Sequence, residues 1–241
     1  MSTLICIVAR NNLALTQKTV RSAANQTVPC DILVVDNAST DSTAAWLQTK
    51  PVARISYQEQ KSLAACWNAA LRAAWGAGYG SVLMLNNDVE VRPDAADLLT
   101  AHGGDFVTCV SVDTANRMGT AGDRTIEDLR KTERPHPDFS CWLMRKAVTD
   151  RNIWFDEEMH PAYCEDSDFH VKMHRAGIRA VCLDIPFLHH GASTLKAADK
   201  ADTLAIQRGA DKNRQRFKAK YGCLPGTPEY EAMFVMRGDV R

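Results

Sequence analysis

Short apolar runs that stop abruptly at polar residues, separated by stretches with helical spacing, constrain this chain more than any other feature of its sequence. Residues 4–9 read Leu-Ile-Cys-Ile-Val-Ala and end at Arg10-Asn11-Asn12. Residues 31–35 end at Asp36-Asn37-Ala38-Ser39-Thr40-Asp41, and residues 81–85 end at Asn86-Asn87-Asp88. Between them, residues 16–24, a stretch reaching about Gln48, and residues 63–75 carry apolar side chains at helical intervals, the last closing on Gly76 and Gly78. Apolar runs without polar alternation are strands covered on both faces, and their alternation with helices signals βαβ units in a mainly parallel sheet. Residues 54–57 predict a further, edge-like strand, and Pro93-Asp94 opens another helix.

At 241 residues the chain can bury a sizeable core, as one α/β domain or two small ones. With 45% hydrophobic and 24% charged residues it has the composition of an ordinary globular protein, which excludes a disordered or fibrous chain. The 29 Lys+Arg against 29 Asp+Glu argue against a general nucleic-acid coat. No apolar run approaches the roughly 18 residues a membrane-spanning helix needs. Met1-Ser2-Thr3 runs into the first apolar segment without a basic leader, so no signal peptide is expected. The eight cysteines form no Cys-x-x-Cys pair and several sit in apolar segments, which favours buried free thiols and a reducing cytoplasm over a zinc framework or disulfides.

From residue 106 the pattern loosens, and residues 113–138, polar and without a clear period, are expected to form a long loop or lid. Order resumes over residues 139–145, then in a helix over residues 166–176 closed by Gly177 and a strand over residues 180–183. The stretch from Lys196 to Lys220 carries eight Lys+Arg and three Asp, a local charge of +5, on a helix-compatible pattern. Residues 1–195 are therefore expected to form the main domain, and residues 196–241 a C-terminal helical extension packed on it.

In open α/β sheets ligands bind at the carboxyl ends of strands, where Arg10, Asn11, Asp36, Asn37, Asn87 and Asp88 fall. Asp36 and Asn37 could bind a base or ribose, or equally form an Asx turn before a helix. Asp88 follows a buried run and offers hard oxygen atoms for Mg²⁺ or Mn²⁺ beside a diphosphate, with Glu90 a spare ligand; the alternative is a solvated strand end. Glu165, Asp166 and Asp168 crowd one helix start, where the helix dipole and capping explain part of the pattern. Such crowding raises a carboxylate pKa and suits a general base. His189-His190, with Ser193 beyond, could complete a metal site begun by Asp88, or be structural.

Taken in order, these segments resemble the inverting family 2 glycosyltransferases of the GT-A fold, in a rhamnosyltransferase-like subgroup. The resemblance runs from Leu4 to about Ser193. It is carried by Ile32-Leu33-Val34-Val35-Asp36-Asn37-Ala38-Ser39-Thr40-Asp41, by Leu83-Met84-Leu85-Asn86-Asn87-Asp88-Val89 as a variant of the Asp-x-Asp metal motif, by Phe155-Asp156-Glu157 with Glu165-Asp166-Ser167-Asp168 and Arg175-Ala176-Gly177, and by His189 with Ser193. Asn213, Phe217 and Lys220-Tyr221-Gly222 are similar to an ending found in some members. Asn86 replaces the first aspartate of the metal motif, and Ser62 and Ala70 stand where glycines are usual, so that near the sugar only Asn68 matches.

The resemblance implies that Asp36 recognises the nucleoside of a UDP- or dTDP-sugar. Ala9, Arg10, Asn11, Asn37, Asn68, Asn87 and Asp88 would complete the donor site. Asp88, with His189 or His190, would hold Mn²⁺ or Mg²⁺ at the diphosphate. Asp166, beside Glu165, would deprotonate an acceptor hydroxyl, with inversion at the anomeric carbon. The acceptor stays open among a glycan, a lipid-linked glycan, a protein and a modified nucleic acid. A catalytically degenerate nucleotide-sugar-binding module is less favoured because Asp88, Asp166 and a late histidine occur together, and a nucleotidyltransferase because no Gly-rich phosphate loop opens the chain. The basic tail could contact DNA or an anionic membrane surface, or be a solvated helix face.

Overall fold

The computed structural model describes residues 2–119, 122–134, 136–191 and 200–234. Strands β1 (Thr3–Ala9), β2 (Asp31–Asp36), β3 (Ala53–Ser56), β4 (Ser81–Asn86), β5 (Val89–Glu90), β6 (Phe106–Val112), β7 (Cys141–Arg145) and β8 (Ala180–His189) form one mixed sheet in the order β3-β2-β1-β4-β7-β6-β8-β5. The pairs β1/β2, β1/β4, β2/β3 and β6/β8 are parallel, and β7 is antiparallel to both β4 and β6. This is a mainly parallel sheet flanked by helices, the GT-A architecture. Helices α1 (Leu13–Ala24), α2 (Thr43–Leu47), α3 (Leu63–Gly76), α4 (Ala95–His102), α5 (Ile126–Thr132), α6 (Lys146–Asp150), α7 (Glu165–Arg175), α8 (Lys200–Tyr221) and α9 (Pro228–Glu231) complete it.

The uninterrupted apolar runs are explained by burial on both faces. In β1, Leu4, Cys6 and Val8 meet one core with Trp67 of α3 and Phe169 of α7. Ile5, Ile7 and Ala9 meet the other with Val20 of α1 and Leu99 of α4. The period-2 alternation of a strand thus feeds two helix layers, and from Leu4 to Ala9 no position on β1 is left for a polar residue. All eight cysteines are free thiols, seven buried and Cys30 half-buried. Among the described residues no helix is long and apolar enough to cross a membrane.

Two stretches differ from expectation. The strand predicted to stop at Leu183 runs on to His189: Asp184 and Pro186 break the apolar run, but Pro186 pairs with Val110 just past a register shift in β6, where a missing N–H is tolerated. Residues 113–138 are not loop throughout. They contain a 3-10 turn, Ala115–Arg117, and α5, whose Leu129 is buried. Arg92, only 1% exposed, holds this stretch by donating to both Asp94 oxygens (2.9 and 2.8 Å) and to the Met118 carbonyl (2.8 Å), and pairs with Asp123 at 2.6 Å. Arg134 then bonds in both directions with Cys182 of β8 (2.7 and 2.6 Å).

From Lys200 on, the basic stretch forms α8. Its inward face carries Asn213, which donates to the Ala162 carbonyl (2.8 Å), and Phe217, which joins Met159, Cys164, Val171 and Tyr230 in a third apolar cluster. Arg216 bonds Asp156 at 2.9 Å and Lys220 bonds Asp168 at 2.9 Å, so part of the tail's positive charge is neutralised within the fold. Ser193 and Lys196 lie outside the described residues.

Candidate active site

The strand order turns at β1: β2 and β3 lie to one side, β4 and everything after it to the other. Such a switch point leaves a crevice beyond the strand ends because the flanking loops depart in opposite directions. A cavity of about 820 Å³ opens there, and its lining includes Arg10 and Asn37, Asn87 and Asp88, Glu165 and Asp166, and His189.

At its β1/β2 end the polar residues are tied to one another. Asp36 accepts from the Ser39 amide (3.1 Å), so the Asx turn is formed. Arg10 donates from one nitrogen to the carbonyls of Asn37 (3.0 Å) and Ala38 (3.1 Å). Asn37 clamps the Lys61 backbone with its amide nitrogen (3.0 Å) and oxygen (2.8 Å). Asn11 accepts from the Thr40 amide (2.7 Å), and the Asn87 amide donates to the Asn11 carbonyl (3.1 Å) and Thr16 hydroxyl (2.9 Å). Asn11, Asn12 and Ala38 hold positive φ, a cost these cross-loop bonds offset. Ala9, in register with Asp36, accepts from the Asn37 amide (2.8 Å).

The central pair comes from far-separated segments. After β4 the chain makes the two-residue strand β5, which pairs antiparallel with the end of β8 so that Val89 faces His189 and the His190 amide bonds the Asp88 carbonyl (3.0 Å). Asp88 Oδ1 then lies 3.4 Å from His189 Nε2. The hydrogen bond to Asp88 raises the His189 pKa above its ordinary value, against an opposing effect of burial. His190 does not join them. Its Nε2 meets Glu90 at 2.8 Å, and Lys18 lies 3.7 Å from the same carboxylate, so Glu90 serves a neighbouring ion cluster. Among the described residues no three His, Cys, Asp or Glu side chains converge as a closed metal cage.

At the opposite wall, Tyr163 and Cys164 both take positive φ immediately before α7, which aims the first turn of that helix into the cavity. Burial pushes the Asp166 carboxyl above its ordinary pKa, outweighing bonds from the Ser167 amide (2.6 Å) and hydroxyl (3.3 Å), and the nearby charge of Asp138 adds to the rise. Burial also raises Glu165 well above the carboxylate range; it is 4% exposed and its Oε2 has no hydrogen-bond partner. Asp168, fully buried, points elsewhere: it holds Lys172 (2.7 Å), Lys220 (2.9 Å) and the Tyr221 hydroxyl (2.9 Å), and Arg175 stacks on Tyr221.

Asn68 is also turned away from the cavity. Its amide donates to the Phe155 carbonyl (3.0 Å) and Glu157 (2.8 Å), and its oxygen accepts from the Phe155 amide (3.2 Å). Sequence reasoning passed over Arg134, His136, Asp138 and Tyr163, all of which line the cavity. The first three sit at the end of the stretch read as loop, where no periodicity points to them.

The sequence matches the family model described as "Glycosyl transferase family 2" over residues 4–153. No curated protein matches the chain. Among solved structures, TarS 1–349 of S. aureus in complex with UDP-GlcNAc is similar with a TM-score of 0.64 at 16% identity, covering 97% of this chain and 70% of that one. The UDP complex of the same TarS fragment gives 0.56 at 18% identity, over 79% of this chain and 58% of that one. The mannosyltransferase PcManGT of Pyrobaculum calidifontis, in complex with GDP-Man and Mn²⁺, gives 0.63 at 19% identity, over 96% and 67%. This chain therefore spans only part of these proteins' length.

Proposed function

The chain belongs to glycosyl transferase family 2, and from that premise we propose that it transfers a sugar from a nucleoside-diphosphate sugar to an acceptor hydroxyl with inversion. The observation that carries this reading is the juxtaposition, in one switch-point cavity, of the Asp88–His189 pair and the Glu165–Asp166 pair. The nucleoside lies at the β1/β2 end, where Asn37 and Arg10 line the cavity and Asp36, buried in its Asx turn, stands behind them, with UDP- or dTDP-sugars the favoured donors. UDP, UDP-GlcNAc and GDP-Man bound to the structural neighbours are the comparison that supports a nucleotide-sugar donor.

Asp88 and His189 supply one carboxylate oxygen and one imidazole nitrogen 3.4 Å apart, a donor set that suits Mn²⁺ or Mg²⁺ sharing its remaining positions with substrate phosphates. Such an ion would neutralise charge on the leaving diphosphate. Asp166 takes the proton of the acceptor hydroxyl, whose oxygen attacks the anomeric carbon from the face opposite the diphosphate. The new C–O bond forms as the bond to the diphosphate breaks, and the nucleoside diphosphate leaves with the electron pair. A carboxylate lifted above its ordinary pKa is a stronger base than a free one. Holding both substrates in line supplies much of the remaining acceleration.

The test is to incubate the protein with UDP-, dTDP- and GDP-sugars plus Mn²⁺ and read release of the nucleoside diphosphate, alone and with candidate glycan acceptors. Release that Asp166→Asn removes supports the reading; no release by the folded protein from any donor speaks against it.

A further inference from the structure

A second cavity, of about 170 Å³, shares Asp166 with the main cleft and is bounded by α7 and the C-terminal turn after α9, with Ser167, His170, Tyr230, Glu231 and Phe234 on its walls. We propose that it seats the terminal pyranose ring of a glycan acceptor and presents one ring hydroxyl to Asp166. This rests on the transferase reading above and narrows the acceptor among the classes that the sequence leaves open.

The volume corresponds to about six waters of liquid, suited to one sugar ring and larger than a serine or threonine side chain requires. The walls mix flat apolar faces with hydrogen-bonding groups, as a pyranose demands with its C–H faces and peripheral hydroxyls. Phe234 stacks on His170 (centroids 4.1 Å apart, 13° between planes) and meets Tyr230 edge-on at 5.1 Å, which fixes the rings before any ligand arrives. Burial holds the His170 pKa down at about 4, so near neutral pH its imidazole is uncharged and has one donor and one acceptor nitrogen. Glu231 adds an acceptor. An acyl or isoprenoid chain would leave these groups unsatisfied. Ser167, which also bonds Asp166, lies in the same wall, so a ring seated there comes within one side chain of the base.

The experiment is saturation-transfer NMR on the full chain with methyl α- and β-pyranosides of glucose, galactose, mannose, N-acetylglucosamine and rhamnose. It is run with and without nucleoside diphosphate plus Mn²⁺, and nucleotide binding is titrated in parallel. At least one glycoside should give transfer. Phe234→Ala should weaken it about five-fold, the equivalent of one lost aromatic contact, and Glu231→Gln, at an exposed position, should weaken it independently. Nucleotide binding with no glycoside transfer, or transfer indifferent to both variants, overturns this inference and leaves the transferase reading standing. Saturation transfer from a glycoside without binding of any nucleotide overturns the transferase reading and, with it, the acceptor role proposed here. If a glycoside binds, comparing a free oligosaccharide with a lipid-linked one ending in the same sugar, as acceptors, identifies which source presents the ring.

Discussion

Asp166 illustrates how competing effects decide a side chain's role. A helix start and two hydrogen bonds from Ser167 stabilise its charged form, and burial still wins, so its pKa rises. Two consequences separate chemistry from stability. Asp166→Asn should lower transfer by about 10³-fold, within the usual range for removing a general base, while nucleotide affinity is retained. Because the folded-state pKa is raised, the ionised carboxylate costs stability above its unfolded value, so the Asn variant should melt at the same temperature as the parent or higher at pH 7; a large fall in Tm would show that Asp166 is structural. The parent's kcat/KM should also drop on the acid side at a pH above the ordinary carboxylate value. Asp88→Ala should abolish the Mn²⁺ dependence of nucleotide binding, as measured by titration with and without EDTA; unchanged metal dependence would remove Asp88 from that role.

At the scale of elements, α8 is fastened to α7 and the loop before it by charge and by close approach. Asp156 is half-buried, and although burial would raise its pKa, hydrogen bonds from Lys220 and Arg216 hold it at about 2. A depressed carboxylate stabilises the fold above its unfolded pKa of about 3.9 and loses that contribution as pH falls towards about 2. Asp156→Asn should therefore lower Tm at pH 7, with the difference from the parent shrinking between about pH 4 and pH 2; a constant difference would contradict the ion-pair explanation. Gly209 lets α8 approach the loop before α7, since a Cβ there would come within 2.8 Å of the His160 carbonyl oxygen. Gly209→Ala should cost about 1–3 kcal/mol, read as a drop of several degrees in thermal melting. Strands and helices with long uniform patterns were legible in the sequence: β1, β2, β4, α3 and α7 fall close to where apolar runs and caps place them. The seven-residue α5 was not, because it buries a single leucine, Leu129, and is anchored from a distance by Arg92, whose partners Asp94 and Asp123 no local spacing connects.

For the molecule as a whole, the fold class was readable because three uninterrupted strands with polar ends specify a doubly covered sheet, and a switch point follows from their order. Part of the cavity wall was readable for the same reason, since Asn37 and Asp88, which line it, follow the ends of such strands. The remainder depended on contacts that no local pattern encodes. Asp88 meets His189 only because a two-residue strand folds back on the end of β8, and the same turn sends Glu90 to His190 instead. Asn68 fits its motif in sequence, yet packing against Phe155 and Glu157 turns its amide into a structural clamp. The central claim, that the switch-point cavity is a metal-assisted nucleotide-sugar site, is tested most directly by calorimetric titration of the protein with UDP, dTDP, GDP and CDP, each with Mn²⁺ and then with EDTA. Binding of one nucleotide, strengthened by Mn²⁺ and weakened by EDTA, is the predicted result; a folded protein that binds none of the four under either condition would contradict it.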